Sequence, residues 1–249
     1  MNWQRVLKIC IWLWFTFIAL VVLKMGSRIF VGDWFPVNTT SMVPTIIPGD
    51  KIWVNKLIFG ARIYKNLDFL DGKPLETFRV KGWRKIRRGD VVVFNAPIQK
   101  SGVDSIGFKI DYVYVKRCTG LPGDTIMIRR LARRTNLRDS VYRVNRQRYY
   151  GAVYVPKKGD TLYMNVRNRS RYYAVITYET NGVLPVDYHV FRNNYYFMCG
   201  DNVLQSHDSR YFGFVPEEFI IGVSRRTLFN NREGWKQKCR ERRILKRLP

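Results

Sequence analysis

IDYVYVKRCTGLPGDTIMI occupies residues 110–128. Apolar and polar positions alternate through Tyr112–Cys118, a turn is marked by Gly120, Pro122 and Gly123, and a second short apolar run comes after it. That pattern reads as strand, turn, strand. Alternation puts Tyr112, Tyr114, Lys116 and Cys118 on one face and sends Arg117 to the other. Lys116 can therefore enter an apolar site without a cation beside it. The same placement suits an edge-strand lysine that blocks aggregation, and spacing alone leaves both readings open.

Similar patterns lie on either side. DKIWVNKLIF (50–59) alternates, with Ile52 and Val54 opposed to Lys51, Trp53 and Asn55. RRGDVVVFNAP (87–97) is a turn and a short strand ended by Pro97. The segment 195–223 returns to the same core-like composition. Residues 60–82 read as a polar loop. The stretch 129–194 is rich in Arg, Asn and Tyr with short strand signals, an inserted β-rich subdomain or an extended ribbon. Helix is expected only near the N-terminus and in the tail. The fold class is mostly β.

The N-terminus is different. Ile9–Leu23 is uncharged and apolar, Val6 and Leu7 extend it, and Lys8 and Lys24 can snorkel to two interfaces. About 18 residues is the minimum for a membrane span. The rival is a cleaved signal peptide, but the run is long for one and no A-x-A site comes after it. Arg5 and Lys8 before the run balance Lys24 and Arg28 after it, so charge does not set the orientation.

The 249 residues, 46% of them hydrophobic, suffice for one domain of ordinary size. Forty-four Lys and Arg against 19 acids give a formal charge of +25, which points to an anionic partner, nucleic acid or a lipid surface. The basic residues are spread through the chain and carry no nucleic-acid recognition motif. Cys10, Cys118, Cys199 and Cys239 include no CxxC pair and no metal spacing, although a Cys118–Cys199 pair stays open.

Three blocks can carry chemistry: Ser41 in TTSMVPT, Lys116, and the loop GDNVLQSHDSRYFG. A serine nucleophile needs a base. Only His189 and His207 are available as histidines, and His207 beside Asp208 is awkward for a triad. Lysine is the other solution. GLPGD lacks the spacing of a P-loop and reads as a tight turn. Asp90 and Asp124 read as turn caps.

Together these blocks resemble the bacterial type I signal peptidases, also called leader peptidases. SMVPT resembles the family's serine box, KRCTGLPGD its lysine box, GDNVLQSHDSR its Gly-Asp-Asn loop, and RRGDVVVF a further box, all in the family's order behind an apolar segment. The resemblance implies Ser41 as nucleophile and Lys116 as general base. It implies Thr39 as an oxyanion-hole hydroxyl with the Ser41 N–H, and Ser206 as a hydroxyl that orients the lysine. Asp208 and Arg210 would form a supporting ion pair. Phe35, Val37, Met42, Ile46, Ile52, Tyr114 and Val115 would line shallow apolar pockets. Val203 and Cys118 depart from the family pattern without removing a catalytic group.

The implied fold is an open, barrel-like antiparallel core with an insertion. Residues 1–5 would be a short tail, 6–24 the anchor, 30–128 and 195–224 the catalytic core, 129–194 the inserted subdomain and 225–249 a basic tail. The implied activity is release of signal peptides from preproteins at the bacterial cytoplasmic membrane, with the core on the outer side. No metal or cofactor is expected, and no nucleic-acid partner; the basic tail would meet membrane lipids. The alternatives are a membrane-tethered binder of nucleic acid or anionic lipid, and an inactive homologue.

Overall fold

The computed structural model describes residues 3–65, 75–100, 103–129, 147–230 and 245–248. Helix α1 (Trp3–Phe30) is 28 residues long and buries none of them. At 1.5 Å per residue it reaches about 42 Å, beyond the roughly 30 Å of a bilayer's hydrocarbon core. It is long and apolar enough to cross a membrane. Its C-terminal end is tied to the first strand and to the residue that follows the second: Arg28 pairs with Asp33 at 2.8 Å, and the Lys56 amine donates to the Arg28 carbonyl at 2.7 Å.

The strands come in the order β1 (Gly32–Pro36), β2 (Asp50–Asn55), β3 (Arg62–Tyr64), β4 (Thr77–Arg79), β5 (Val91–Asn95), β6 (Ile98–Lys100), β7 (Val103–Gly107), β8 (Val113–Gly120), β9 (Thr125–Ile128), β10 (Gly151–Tyr154) and β11 (Thr161–Tyr163). Helix α2 (Val166–Thr180) comes next. Then come β12 (Tyr188–Val190), β13 (Tyr195–Cys199), the short helix α3 (Ser209–Phe212), β14 (Val215–Pro216) and β15 (Ile220–Asn230). Seven strands form one curled antiparallel sheet in the order β1-β2-β15-β5-β8-β13-β14. The chain is therefore mostly β, as its alternating runs predict. The pairs β3–β4, β6–β7, β9–β10 and β11–β12 are small satellites.

Strand β8 lies between β5 and β13, so Lys116 is not an edge-strand lysine. The two sides of the main sheet feed two clusters. The larger gathers Phe94, Phe197, Phe214 and Phe219 with Tyr172, Val175 and Ile176 of α2. The smaller gathers Val37, Met42, Ile46, Ile52, Val54, Val91 and Val93 around the segment that carries Ser41.

Three expectations are corrected. Residues 60–82 contain the β3–β4 pair; within this stretch, 66–74 lie outside the described residues. The stretch 129–194, read as β-rich, contains the 15-residue α2. Asn165 caps it by accepting from the Asn168 N–H, and Asn181 ends it in the left-handed region at φ 53°. Aromatic and β-branched residues read as strand by composition, and burial of Tyr172 and Ala174–Glu179, most of them in the large cluster, decides for helix. Third, the boundary drawn at 224 falls inside β15, which runs to Asn230. Residues 245–248 return to it, with Leu248 buried and the Thr227 N–H donating to the Lys246 carbonyl. The part of the tail from 231 to 244, and the insertion from 130 to 146, lie outside the described residues.

Candidate active site

Ser41 lies on the loop between β1 and β2. The segment is fixed by burial of Met42, Ile46 and Ile47 and by hydrogen bonds from the Ile46 N–H to the Met42 carbonyl and from the Ile47 N–H to the Asp50 carboxylate. Lys116 projects from the middle of β8. Its Nζ donates to Ser41 Oγ at 2.5 Å, although the two residues are 75 apart in sequence. Ser41 is 6% exposed and Lys116 4%. Burial, opposed by the charge of Asp208 and assisted by that of Arg210, lowers the lysine from its ordinary 10.5 to about 8. The Tyr114 ring lies 5.3 Å from the amine.

Thr39, exposed, has its hydroxyl 3.4 Å from Ser41 Oγ. The Ser41 N–H makes no hydrogen bond among the described residues. Both are thus available to an oxygen bound at the serine. Ser206 is buried beside the pair, but its hydroxyl donates to Asp208 at 2.6 Å and not to Lys116. Asp208, fully buried, also accepts from the Gly200 N–H and from Arg210 at 2.8 and 2.5 Å. The expected Asp208–Arg210 pair is present, and Ser206 acts on the site through it. Gly200 is required by space: a Cβ there would collide with Ser206 Oγ and come within 2.6 Å of the Ser41 carbonyl oxygen.

The expected pocket residues divide. Phe35, Val37, Met42, Ile46, Ile52 and Val115 meet in the smaller cluster, whereas Tyr114 packs with the larger one, against Phe94 and Phe212. Adjacent strand residues face opposite sides, so Tyr114 and Val115 cannot share one pocket. Met42, Ile46 and Ile52 are at most 1% exposed and are floor; Phe35 and Val115 are half-buried and reachable.

Other positioning groups escaped the sequence reading. Arg117 holds Asp201 through two hydrogen bonds of 2.8 and 2.7 Å and also donates to the Gly89 carbonyl. The Asn202 N–H donates to the Ser41 carbonyl at 3.0 Å and its side chain to the Thr40 carbonyl at 3.2 Å. The loop after β13 therefore grips the nucleophile's backbone. Their signal was the acidic and amide pair inside GDN, next to a strand that alternates Lys116 with Arg117. His207 stacks on Tyr211 and makes no hydrogen bond to Ser41 or Lys116. His189 is buried against Glu179, in the larger cluster. Cys118 and Cys199 are free thiols. The register pairs Cys118 with Met198 and Cys199 with Arg117, which puts the two sulfurs on opposite faces of the sheet. No group of three or more His, Cys, Asp or Glu is placed to hold a metal among the described residues.

A serine with a lysine amine at hydrogen-bond distance is the arrangement of a Ser-Lys hydrolase. Residues 9–229 match the family described as Signal peptidase, peptidase S26. The chain belongs to that signal peptidase family. Similar relatives carry the name Signal peptidase I. One from Rickettsia bellii (strain OSU 85-389) is 30% identical over 237 residues, 89% of this chain and 74% of that protein. One from Rickettsia massiliae (strain Mtu5) is 31% identical, covering 89% and 80%. One from Buchnera aphidicola subsp. Schizaphis graminum is 29% identical over 231 residues, 78% of this chain and 67% of that protein. The family match takes in Thr39, Ser41, Lys116, Ser206, Asp208 and Arg210 of this signal peptidase homologue, and it ends one residue short of the end of β15.

Proposed function

We propose that the chain is a membrane-anchored serine endopeptidase that removes signal peptides from preproteins, with Ser41 as nucleophile and Lys116 as general base. The observation that carries this reading is the 2.5 Å contact between two buried side chains, Lys116 Nζ and Ser41 Oγ. With the amine neutral, the contact reverses and the serine hydroxyl donates to the nitrogen lone pair. Ser41 Oγ attacks the scissile carbonyl as its proton passes to Lys116. The oxyanion is met by the Ser41 N–H and the Thr39 hydroxyl, fixed donors that need no reorganisation. Lys116 returns the proton to the leaving amine, leaving an acyl-enzyme. A water that gives its proton to Lys116 then releases the acid and restores the serine.

Phe35 and Val115, over a floor of Val37, Met42, Ile46 and Ile52, give shallow apolar subsites that favour small residues before the cut. Tyr114 serves as the wall of the lysine's chamber. Ser206, Asp208 and Arg210 hold the loop against the dyad. In this reading α1, with 6–24 as its membrane-embedded part, places Ser41 near the bilayer. Residues 30–128 and 195–230 belong to the catalytic core, 129–194 is an insertion, and the basic stretch beyond β15 meets lipid. The membrane is the bacterial cytoplasmic one, the core lies on its outer side, and nucleic acid has no part in the activity.

The test is cleavage of a preprotein by the full chain, by Ser41→Ala and by Lys116→Arg, with circular dichroism to establish folding. Both folded variants are expected to be inactive, because an arginine stays protonated at any working pH. Normal cleavage by Lys116→Arg would remove lysine as the base.

A further inference from the structure

A cleft of about 470 Å³ opens between the turn before β5 and the last described residues of the chain. Arg84, Arg87, Arg88, Arg225 and Arg247 line it, together with Asp90 and Ser224. Two of these cations are already neutralised. Arg84 pairs with Asp90 at 2.7 Å and Arg88 with Asp124 at 2.8 Å. The side chains of Arg87, Arg225 and Arg247 have no acidic or hydrogen-bonding partner among the described residues, and all three are exposed at the rim. Ser224 stands in the wall. It is 2% exposed, and its hydroxyl is the single buried side-chain polar atom left without a partner among the described residues. Three guanidiniums on the rim of one cleft, beside an unpartnered hydroxyl, offer a site to an oxyanion, since the planar forks of arginine match phosphate oxygens.

The register of the sheet gives the distance of the cleft from the end of α1. Ser224 on β15 is opposite Val54 on β2, and Val54 is opposite Asp33 on β1. Asp33 comes three residues after the end of α1. Two strand spacings separate Ser224 from Asp33, about 10 Å. The cleft thus lies about 10 Å from the point at which the chain leaves the apolar helix, and a bilayer crossed by α1 presents its phosphates in that neighbourhood.

We propose that this cleft binds a phosphate-ester oxyanion through Arg87, Arg225, Arg247 and Ser224, and that the headgroup of an anionic lipid supplies it. Such a contact would fix the rotation of the domain about α1, which a single helix leaves free. Three arms separate the sources. The full chain in zwitterionic detergent is titrated with short-chain phosphatidylglycerol, with short-chain phosphatidylcholine and with inorganic phosphate, and bound ligand is counted by native mass spectrometry. Phosphatidylglycerol is expected to saturate one site, at least tenfold tighter than phosphatidylcholine. Arg225→Gln with Arg247→Gln should weaken it at least tenfold, while Lys157→Gln with Lys158→Gln, equal in charge and outside the cleft, should leave it unchanged. Preprotein cleavage in detergent should stay within about twofold in both, which shows that they fold. Absence of saturable binding, or equal loss in the control, overturns the site. Arginine-dependent binding of inorganic phosphate without phosphatidylglycerol overturns the headgroup as source.

Discussion

Replacing Lys116 by methionine should abolish cleavage and yet make the folded chain more stable at neutral pH. The lysine's folded value of about 8 lies below its ordinary 10.5. That gap corresponds to about 3 kcal/mol, the cost of keeping a charged amine in the buried site. The unfolded chain binds more protons between these two values, so stability rises with pH across that window, and below about 8 the cost is felt in full. Methionine removes the cost with little change of volume. It also removes the hydrogen bond to Ser41, a loss of about 1 kcal/mol. The net gain is about 2 kcal/mol at pH 7, or roughly 4–8 °C in midpoint for a chain of this size. At pH 9 the folded amine is largely neutral while the unfolded one is still charged. The remaining cost is then about 2 kcal/mol, and the net gain should shrink to about 1 kcal/mol. Thermal unfolding of the full chain and of Lys116→Met in detergent, at pH 7 and pH 9, measures both quantities. In the same samples the cleavage rate of the unsubstituted chain should climb with pH along a limb centred near 8. A methionine variant that is no more stable at pH 7, or a difference that stays constant to pH 9, would refute the reasoning that burial holds this amine ready to accept a proton.

Thr39→Val should reduce turnover by about 10²-fold or more if its hydroxyl meets the oxyanion, with the melting midpoint unchanged because the residue is exposed; an unaltered rate excludes that role. Gly200→Ala should destabilise the chain by about 1–3 kcal/mol through overpacking against Ser206 and the Ser41 carbonyl, read from denaturant unfolding, and should slow cleavage as the loop backs away. His207→Ala should keep most of the activity, since the ring stacks on Tyr211 and touches neither member of the dyad; a dead but folded variant would return histidine to candidacy as the base.

Much of this was legible in the chain because it depends on local periodicity. The alternation around Lys116 gives both the strand and the face on which the amine lies, and β5, β8 and β13 bear it out. The apolar run at Ile9–Leu23 has no other reading as structure than a helix, and α1 extends it at both ends. What was not legible depends on pairing across distance. The run YYAVITYET is as good a strand as a helix by composition, and only its burial against Phe191 and Phe214 selects the helix. The Asn165 and Asn181 caps were available signals that short strand-like runs concealed. Ser206 belongs to the site, but its bond to Asp208 in place of Lys116 comes from rotamers that no spacing encodes. Likewise Arg117 was read as pointing away from the chemistry. It does point away, and from there it holds Asp201 and the loop that grips Ser41.

Strand β15 is the last strand of the main sheet in chain order among the described residues, and it is inserted between β2 and β5, two of the early ones. Without it, the hairpin carrying Ser41 and the strands carrying Lys116 share no backbone ladder. The serine-bearing hairpin and the lysine-bearing strands are thus joined in one sheet by a strand that begins 100 residues or more after either. The pairing of residues 220–230 with β2 and β5 is a long-range closure, of the kind that forms slowly.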